Sequence, residues 1–343
     1  MSNIREVAEL AGVSVATVSR TLQQPELVSP KTRVKVTEAI EQLNYKPNLM
    51  AVKFRSGKTH NIVVLVPTVA NVFFARVIRG MQEAAAAEGY SLLLVNTMGD
   101  DATEQNYARM IHTSQADGVV QLRAFNPFND NDVTDEGLLP MVNACEILDA
   151  PKCPTVSLDN RLAAAAMTEH LVELGHQHIA MIKGPAASPL TRDRMLGFKD
   201  ALQAANLSYN EELMFAGDFT LQSGYEAAER LLKQNHPVTA VVCENDEMAL
   251  GAISRFKAAG LRVPQDISVS GFDNIAFSHY SDPPLTTIAQ PAEEFGETAI
   301  NLLIEVLKGK AKRAVKVILP YQLIIRESTG PAPAHPVNLS EPS

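Results

Sequence analysis

Val7-Ala8-Glu9-Leu10-Ala11-Gly12-Val13-Ser14-Val15-Ala16-Thr17-Val18-Ser19-Arg20 is the stretch on which the reading of this 343-residue chain turns. Just upstream, Asn3 and Glu6 form a capping box for a first helix, along which Ile4, Val7, Ala8 and Leu10 recur at helical spacing. Gly12 supplies the left-handed turn. Ser14 caps a second helix from Val15 to about Leu22, with Val18 facing the first. Ala8, Gly12 and Val18 thus stand at the spacing of a helix-turn-helix. The small alanine lets the helices cross closely, the glycine turns the chain, and the β-branched residue fills the crossing. Ser29-Pro30 opens a third helix, and Val36, Ala39, Ile40 and Leu43 give it the apolar face that closes a three-helix core. The second helix of such a module lies in a DNA major groove. Val15, Ala16 and Arg20 are its base-facing candidates: Arg20 suits guanine O6 and N7, while the other two offer only apolar contact. Ser14, Thr17, Ser19 and Arg33 are assigned to phosphates, which fix position without reading sequence. The competing reading of this segment is a helical protein-interaction module with solvated surface charges.

Charge placement separates the two readings. The whole chain carries a net −9, which taken alone argues against nucleic acid. Residues 1–58, however, hold nine Lys/Arg against five Asp/Glu, a net +4, and the other 285 residues carry −13. A small basic head precedes a large acidic body, the asymmetry expected of a DNA-binding module on a soluble partner domain. With 46% hydrophobic and 20% charged residues, the chain is an ordinary globular protein, too long for one core. The start, Met1-Ser2-Asn3-Ile4-Arg5-Glu6, shows no secretory h-region, and no apolar run approaches a membrane span, so a cytoplasmic protein is expected. Cys145, Cys153 and Cys243 read as buried hydrophobes in a reducing compartment.

From Asn61 the pattern changes to alternating strands and helices. Ile62-Val63-Val64-Leu65-Val66 is a parallel strand buried on both faces. A helix over 73–88 follows, then a strand over 91–96, a helix over 103–116, and strands over 118–122, 141–147 and 155–158. A second series runs from a helix over 161–174 through strands at 179–183, 213–216, 240–244 and 267–271, with helices near 192–205, 222–234 and 247–259. Two βα series mean an α/β body of two doubly wound lobes, with ligands bound beyond the carboxyl ends of the strands. Polar and aromatic residues gather at those ends: Thr68, Asn71, Phe73, Phe74, Asp159, Asn160, Arg192, Arg194, Asp218, Phe219, Glu244, Asn245, Asp246, Asp273, Asn274 and Gln290. Aromatic faces beside carboxylates and amides suit a hydroxyl-bearing ring, as in a sugar or nucleoside. Each of these residues alone also has a duller role, in a core or as a helix cap. No dinucleotide fingerprint, phosphate loop or nucleophile elbow is present, so no enzyme and no cofactor is expected. His176-x-His178 is a weak metal motif, and no metal site is expected.

The head stretch, together with Asn44-Tyr45-Lys46-Pro47-Asn48, resembles the LacI/GalR family of repressors, and the resemblance extends to about residue 330. Arg194-Met195-Leu196-Gly197-Phe198 and Gly271-Phe272-Asp273-Asn274 carry it into the body, as does the late crossover Pro284-Leu285-Thr286-Thr287-Ile288. It implies a helix-turn-helix head (1–46), a hinge helix and linker (47–60), and a periplasmic-binding-protein-like body (61–330). The lobes would be about 61–160 with 290–320, and 161–289 with 321–330, joined by three crossings. Residues 331–343 are expected to be a disordered tail. In the hinge, Asn48, Phe54 and Arg55 would meet DNA; Phe54 either wedges between base pairs in the minor groove or anchors the linker on the body. The effector residues implied are Asn71, Phe73, Phe74, Asp159, Arg194, Phe219, Asn245, Asp273 and Gln290. The implied partners are double-stranded operator DNA, a second copy of the chain, a small effector and, from the relatives, a second DNA-bound regulator. Within the family the likeness is to a nucleoside-responsive member, so cytidine or another nucleoside is expected, with a purine base or a sugar as alternatives. A solute-binding protein without a DNA role, and an enzyme using the same cleft, are the readings from other classes.

Overall fold

The computed structural model describes residues 3–45, 58–129, 132–134, 137–149, 151–234, 236–311 and 313–334. Asn48, Phe54 and Arg55, and with them most of the expected hinge, lie outside these residues, as do 335–343 of the expected tail. The chain divides into two units, Met1–Thr59 and His60–Ser343.

In the first unit, α1 (Ile4–Ala11), α2 (Val15–Gln23) and α3 (Pro30–Gln42) close on a core of Val7, Ala8, Ala11, Val18, Val36 and Ala39. The Asn3 side-chain oxygen accepts from the Arg5 and Glu6 N–H groups, and Glu6 returns the bond to the Asn3 N–H at 3.2 Å, completing the capping box. Gly12 stands at φ +65°, the left-handed conformation that ends α1, and Ser14 caps α2 through the Thr17 N–H at 3.1 Å. Leu10, by contrast with its place in the apolar spacing, is half exposed.

The second unit holds, in chain order, β1 (Asn61–Val66), α4 (Val72–Ala87), β2 (Ser91–Asn96), α5 (Asp101–Ala108), β3 (Gly118–Gln121), β4 (Met141–Ala144), β5 (Thr155–Leu158), α6 (Asn160–Glu173), β6 (Ile179–Lys183), α7 (Pro189–Ala204), β7 (Met214–Ala216), α8 (Leu221–Leu232), β8 (Ala240–Cys243), α9 (Asp246–Ala258), β9 (Ser268–Asp273), α10 (Ala276–Tyr280), β10 (Thr286–Ala289), α11 (Ala292–Leu307), β11 (Lys316–Leu319) and β12 (Gln322–Ile324). They build two six-stranded sheets, β11-β5-β4-β3-β1-β2 and β12-β10-β9-β8-β6-β7. Every pairing is parallel except β10 with β12. Three crossings join the sheets: β5 into α6, β10 into α11, and β11 into β12. The central strands are buried on both faces, as their unbroken apolar runs require.

Two elements are shorter than their sequence pattern predicts. The helix expected to reach 116 ends at Ala108; beyond it the Thr113 hydroxyl bonds back to the Arg109 and Met110 carbonyls, and Ser114 takes φ +53°. The strand expected to reach Ile147 ends at Ala144. Cys145 turns to φ +69°, and the Asn143 amide draws in the carbonyls of Gln121, Arg123 and Glu146, pulling the chain off the ladder. β11 and β12, unassigned from sequence, are the edge strands of the two sheets. His176 is buried, its ring nitrogens bonded to Thr239, Ser268 and the Gly330 carbonyl, which makes it a core residue clamping the C-terminal segment. Among the described residues no helix is long and apolar enough to cross a membrane.

Candidate functional site

On the head, α2 exposes Ala16 and Arg20, with Ser14 exposed at its cap and Thr17 and Ser19 half-buried beside it. Val15 is half-buried and packs partly against the head core, beside the exposed Ala16. Arg33 is exposed on α3 and donates to the Val28 carbonyl at 3.3 Å.

In the body, a cavity of about 420 Å³ opens beyond the carboxyl ends of the strands, lined from both lobes. Asn71, Phe73 and Phe74 enter from the start of α4, and Arg123, Cys145 and Glu146 from the ends of β3 and β4. Ser188, Leu190 and Arg194 come from α7, Phe219 follows β7, Asn245 follows β8, Asp273 ends β9, and Gln290 follows β10. Ser188 donates its hydroxyl to Glu146 at 2.8 Å, so the two lobes touch across the mouth.

The two body motifs account for the geometry of its floor. In Arg194-x-x-Gly197-Phe198, a Cβ at 197 would stand 2.0 Å from the Arg161 carbonyl; glycine lets α7 press against α6 while Phe198 fills the core and Arg194 turns into the cavity. In Gly271-Phe272-Asp273, a Cβ at 271 would strike the Asp246 carboxylate, Phe272 forms a platform, and Asp273 reaches the cavity at φ +112°. The guanidinium of Arg194 lies on that platform, donates to the Glu244 carbonyl, and donates Nε–H to the Asn160 Oδ1 at 2.9 Å. Phe219, at φ +68°, is held by Asn245, which donates to its carbonyl at 2.8 Å. Met98, Cys145, Phe219 and Asp273 are thus four non-glycine residues with positive φ around one cavity.

Charge in this region is unbalanced. Arg194 feels four carboxylates, Asp273, Glu244, Glu146 and Asp246. Burial drives Asp273 up to about 8 against the pull of Arg194, and drives Glu244 to about 7. Asp246 rises to about 6 even though Ser278, Thr287 and the Ile275 N–H all donate to it. The cavity therefore offers acceptors and two guanidinium groups, Arg123 and Arg194, beside aromatic faces. That arrangement suits a ligand rich in hydroxyl groups.

Eight of the nine expected effector residues line this cavity, and Asp159 does not. Its carboxylate caps α6 through the Leu162 N–H at 2.9 Å, which holds it at the crossing and away from the opening. Arg192 likewise points outward and pairs with Asp193. Asn71 and Asn245 also serve as helix caps, through the Phe73 and Met248 N–H groups. Glu146, Ser188 and Arg123 were not singled out from sequence. The strand carried on to Ile147 hid Glu146; the signal lost was that a carboxylate right after a short apolar strand marks the strand's end.

Residues 3–48 match the family of bacterial regulatory proteins, lacI family, and residues 168–329 match the periplasmic binding protein-like domain. The chain is 38% identical over 332 residues to the HTH-type transcriptional repressor CytR of Escherichia coli strain K12, covering 97% of each. The chain belongs to the LacI family. A second LacI-family relative, the repressor PurR of Aliivibrio fischeri strain MJ11, is 38% identical over 315 residues, 90% of this chain and 93% of that one. Among solved structures, the lac repressor dimer bound to operator and the anti-inducer ONPF is similar at a TM-score of 0.86 and 28% identity, covering 96% of this chain and 99% of that chain. The CelR–cellobiose complex is similar at 0.71 and 31%, covering 96% and 100%. This LacI-family chain is a DNA-binding transcriptional repressor, and its relatives are repressors rather than enzymes.

Proposed function

We propose that the protein is a cytoplasmic homodimeric repressor whose operator affinity is set by a nucleoside, cytidine in the first instance, bound in the cavity between the lobes. The observation that carries this reading is the meeting of Phe73, Phe74 and Phe219 with Asp273 and Arg194 around about 420 Å³. Aromatic faces take a base or a sugar ring, and the carboxylate takes vicinal hydroxyls. CytR and PurR match at the same 38% identity, so a purine base stands beside the nucleoside as an alternative. A bare sugar is the second reading, favoured by relatives solved with cellobiose and with ribose.

A dimer follows from the need to present two heads to two half-sites. Exposed apolar side chains, Val69, Leu94 and Met98 in one lobe and Leu221, Phe277 and Tyr280 in the other, supply surface for it. In the hinge, Phe54 and Arg55 would engage the minor groove beside Asn48. The effector acts by preferring one lobe arrangement, and a coupling of roughly 1–3 kcal/mol shifts operator affinity about 5–150-fold. A thermal-shift screen of nucleosides, purine bases and sugars, followed by gel shift on genomic fragments with each hit, tests the assignment. Cytidine should raise the melting temperature and alter the shift. Stabilisation by a sugar with none by any nucleoside would replace the nucleoside reading.

A further inference from the structure

Arg194 and Asp273, two of the charged side chains that line the cavity, are each held by an amide on a different crossing between the lobes. Asn160 is the first residue of α6, two positions after Leu158 closes β5 of the first sheet. Its Oδ1 accepts from Arg194 Nε at 2.9 Å, and its Nδ2 donates to the Leu158 carbonyl at 3.4 Å. Because a guanidinium only donates, the amide oxygen must face Arg194, which leaves the NH2 for the strand end. Gln290, just after β10, donates Nε2–H to Asp273 Oδ1 at 2.6 Å. Both amides are more than nine-tenths buried. Asn160 lies outside the cavity lining, whereas Arg194 is part of it.

We infer that Asn160 is the positioning residue that carries the state of the cavity to the crossing. A ligand that moves the Arg194 guanidinium must stretch or relax its bond to Asn160, and with it the hold on the end of β5. The Gln290–Asp273 bond does the same for the second crossing. Occupancy is thereby converted into a lobe arrangement through two short hydrogen-bonded links rather than through the bulk of either core. The inference rests on the proposed effector reading, because it needs a ligand that touches Arg194.

The test compares wild type, Asn160→Ala, Asn160→Asp and, as a control in the remote core of the second lobe, Ile253→Val. For each, the affinity of cytidine, adenine and D-ribose is measured by calorimetry, and operator affinity with and without each probe by fluorescence anisotropy. Asn160→Ala should weaken binding of the active probe about tenfold and shrink the operator response below about twofold. Asn160→Asp keeps an acceptor for Arg194 but loses the donor to the Leu158 carbonyl, so it should restore probe affinity to near wild type while the operator response stays below about twofold. Ile253→Val should melt lower yet respond fully. An Asn160→Ala protein that melts lower but keeps the wild-type response overturns the inference while leaving the effector reading intact. A wild type that binds none of the three probes removes the effector reading, and the inference with it.

Discussion

Arg194 rests its guanidinium on the ring of Phe272, the central carbon 3.6 Å from the ring centre. Residue and platform come from motifs more than seventy positions apart, and their stacking fixes the one buried cation of the cavity. A lysine offers neither the planar fork nor the stack. Arg194→Lys should therefore weaken effector binding at least about tenfold and lower unfolding stability by about 1–3 kcal/mol, because lysine keeps the charge but loses the stack on Phe272 and the Nε–H bond to Asn160. Calorimetry and urea unfolding read the two effects; effector affinity unchanged in the variant would contradict the assigned role.

Asp273 gives stability a definite pH slope. Its carboxyl sits near 3.8 in the unfolded chain and at about 8 in the fold, so between those values the native state holds a proton that the unfolded chain has released. This contribution is complete below about pH 4 and is lost as pH rises toward 8, at up to about 1.4 kcal/mol per pH unit. Asp273→Asn removes the titrating group, and its urea-derived stability should fall less steeply than that of wild type between pH 5.5 and 7.5. Parallel slopes would show that Asp273 ionises normally.

Gly184 sets the position of Phe219. A Cβ at 184 would lie 2.2 Å from the Phe219 ring, and that ring cannot retreat while Asn245 grips its carbonyl. Gly184→Ala should push the ring into the cavity and weaken effector binding about tenfold or more, with ligand-free operator affinity unchanged. Wild-type effector affinity in this variant would mean that Phe219 does not form the ligand wall.

The head makes its own prediction. Arg20 is exposed on α2 and is the side chain there suited to a bidentate guanine contact. Arg20→Ala should cost about 1–3 kcal/mol on operator DNA and much less on non-specific DNA, measured at matched salt. Equal losses on both would place Arg20 on phosphates.

Much of this molecule is legible in the sequence because local chemistry and global fold agree. Asn3, Gly12, Ser14 and Pro30 each do what their residue type favours at a helix end, and the buried run 62–66 admits only a central parallel strand. The gathering of Arg194, Phe219 and Asp273 was readable from strand ends and motifs. What was not readable depended on tertiary bonds. Asn143 ends β4 early by capturing three carbonyls, which exposes Glu146; Asp159 spends its carboxylate on a helix cap; and β11 and β12 are strands only because two sheet edges were open to receive them.

A ligand in the body is proposed to change the grip of the head on DNA. Operator affinity of wild type and Asp273→Ala, titrated by fluorescence anisotropy with and without saturating cytidine, tests it most directly. A shift of about 5–150-fold is expected in wild type and none in the variant, with equal affinities in the absence of ligand. Cytidine bound by wild type, as seen in calorimetry, with operator affinity unchanged would contradict it.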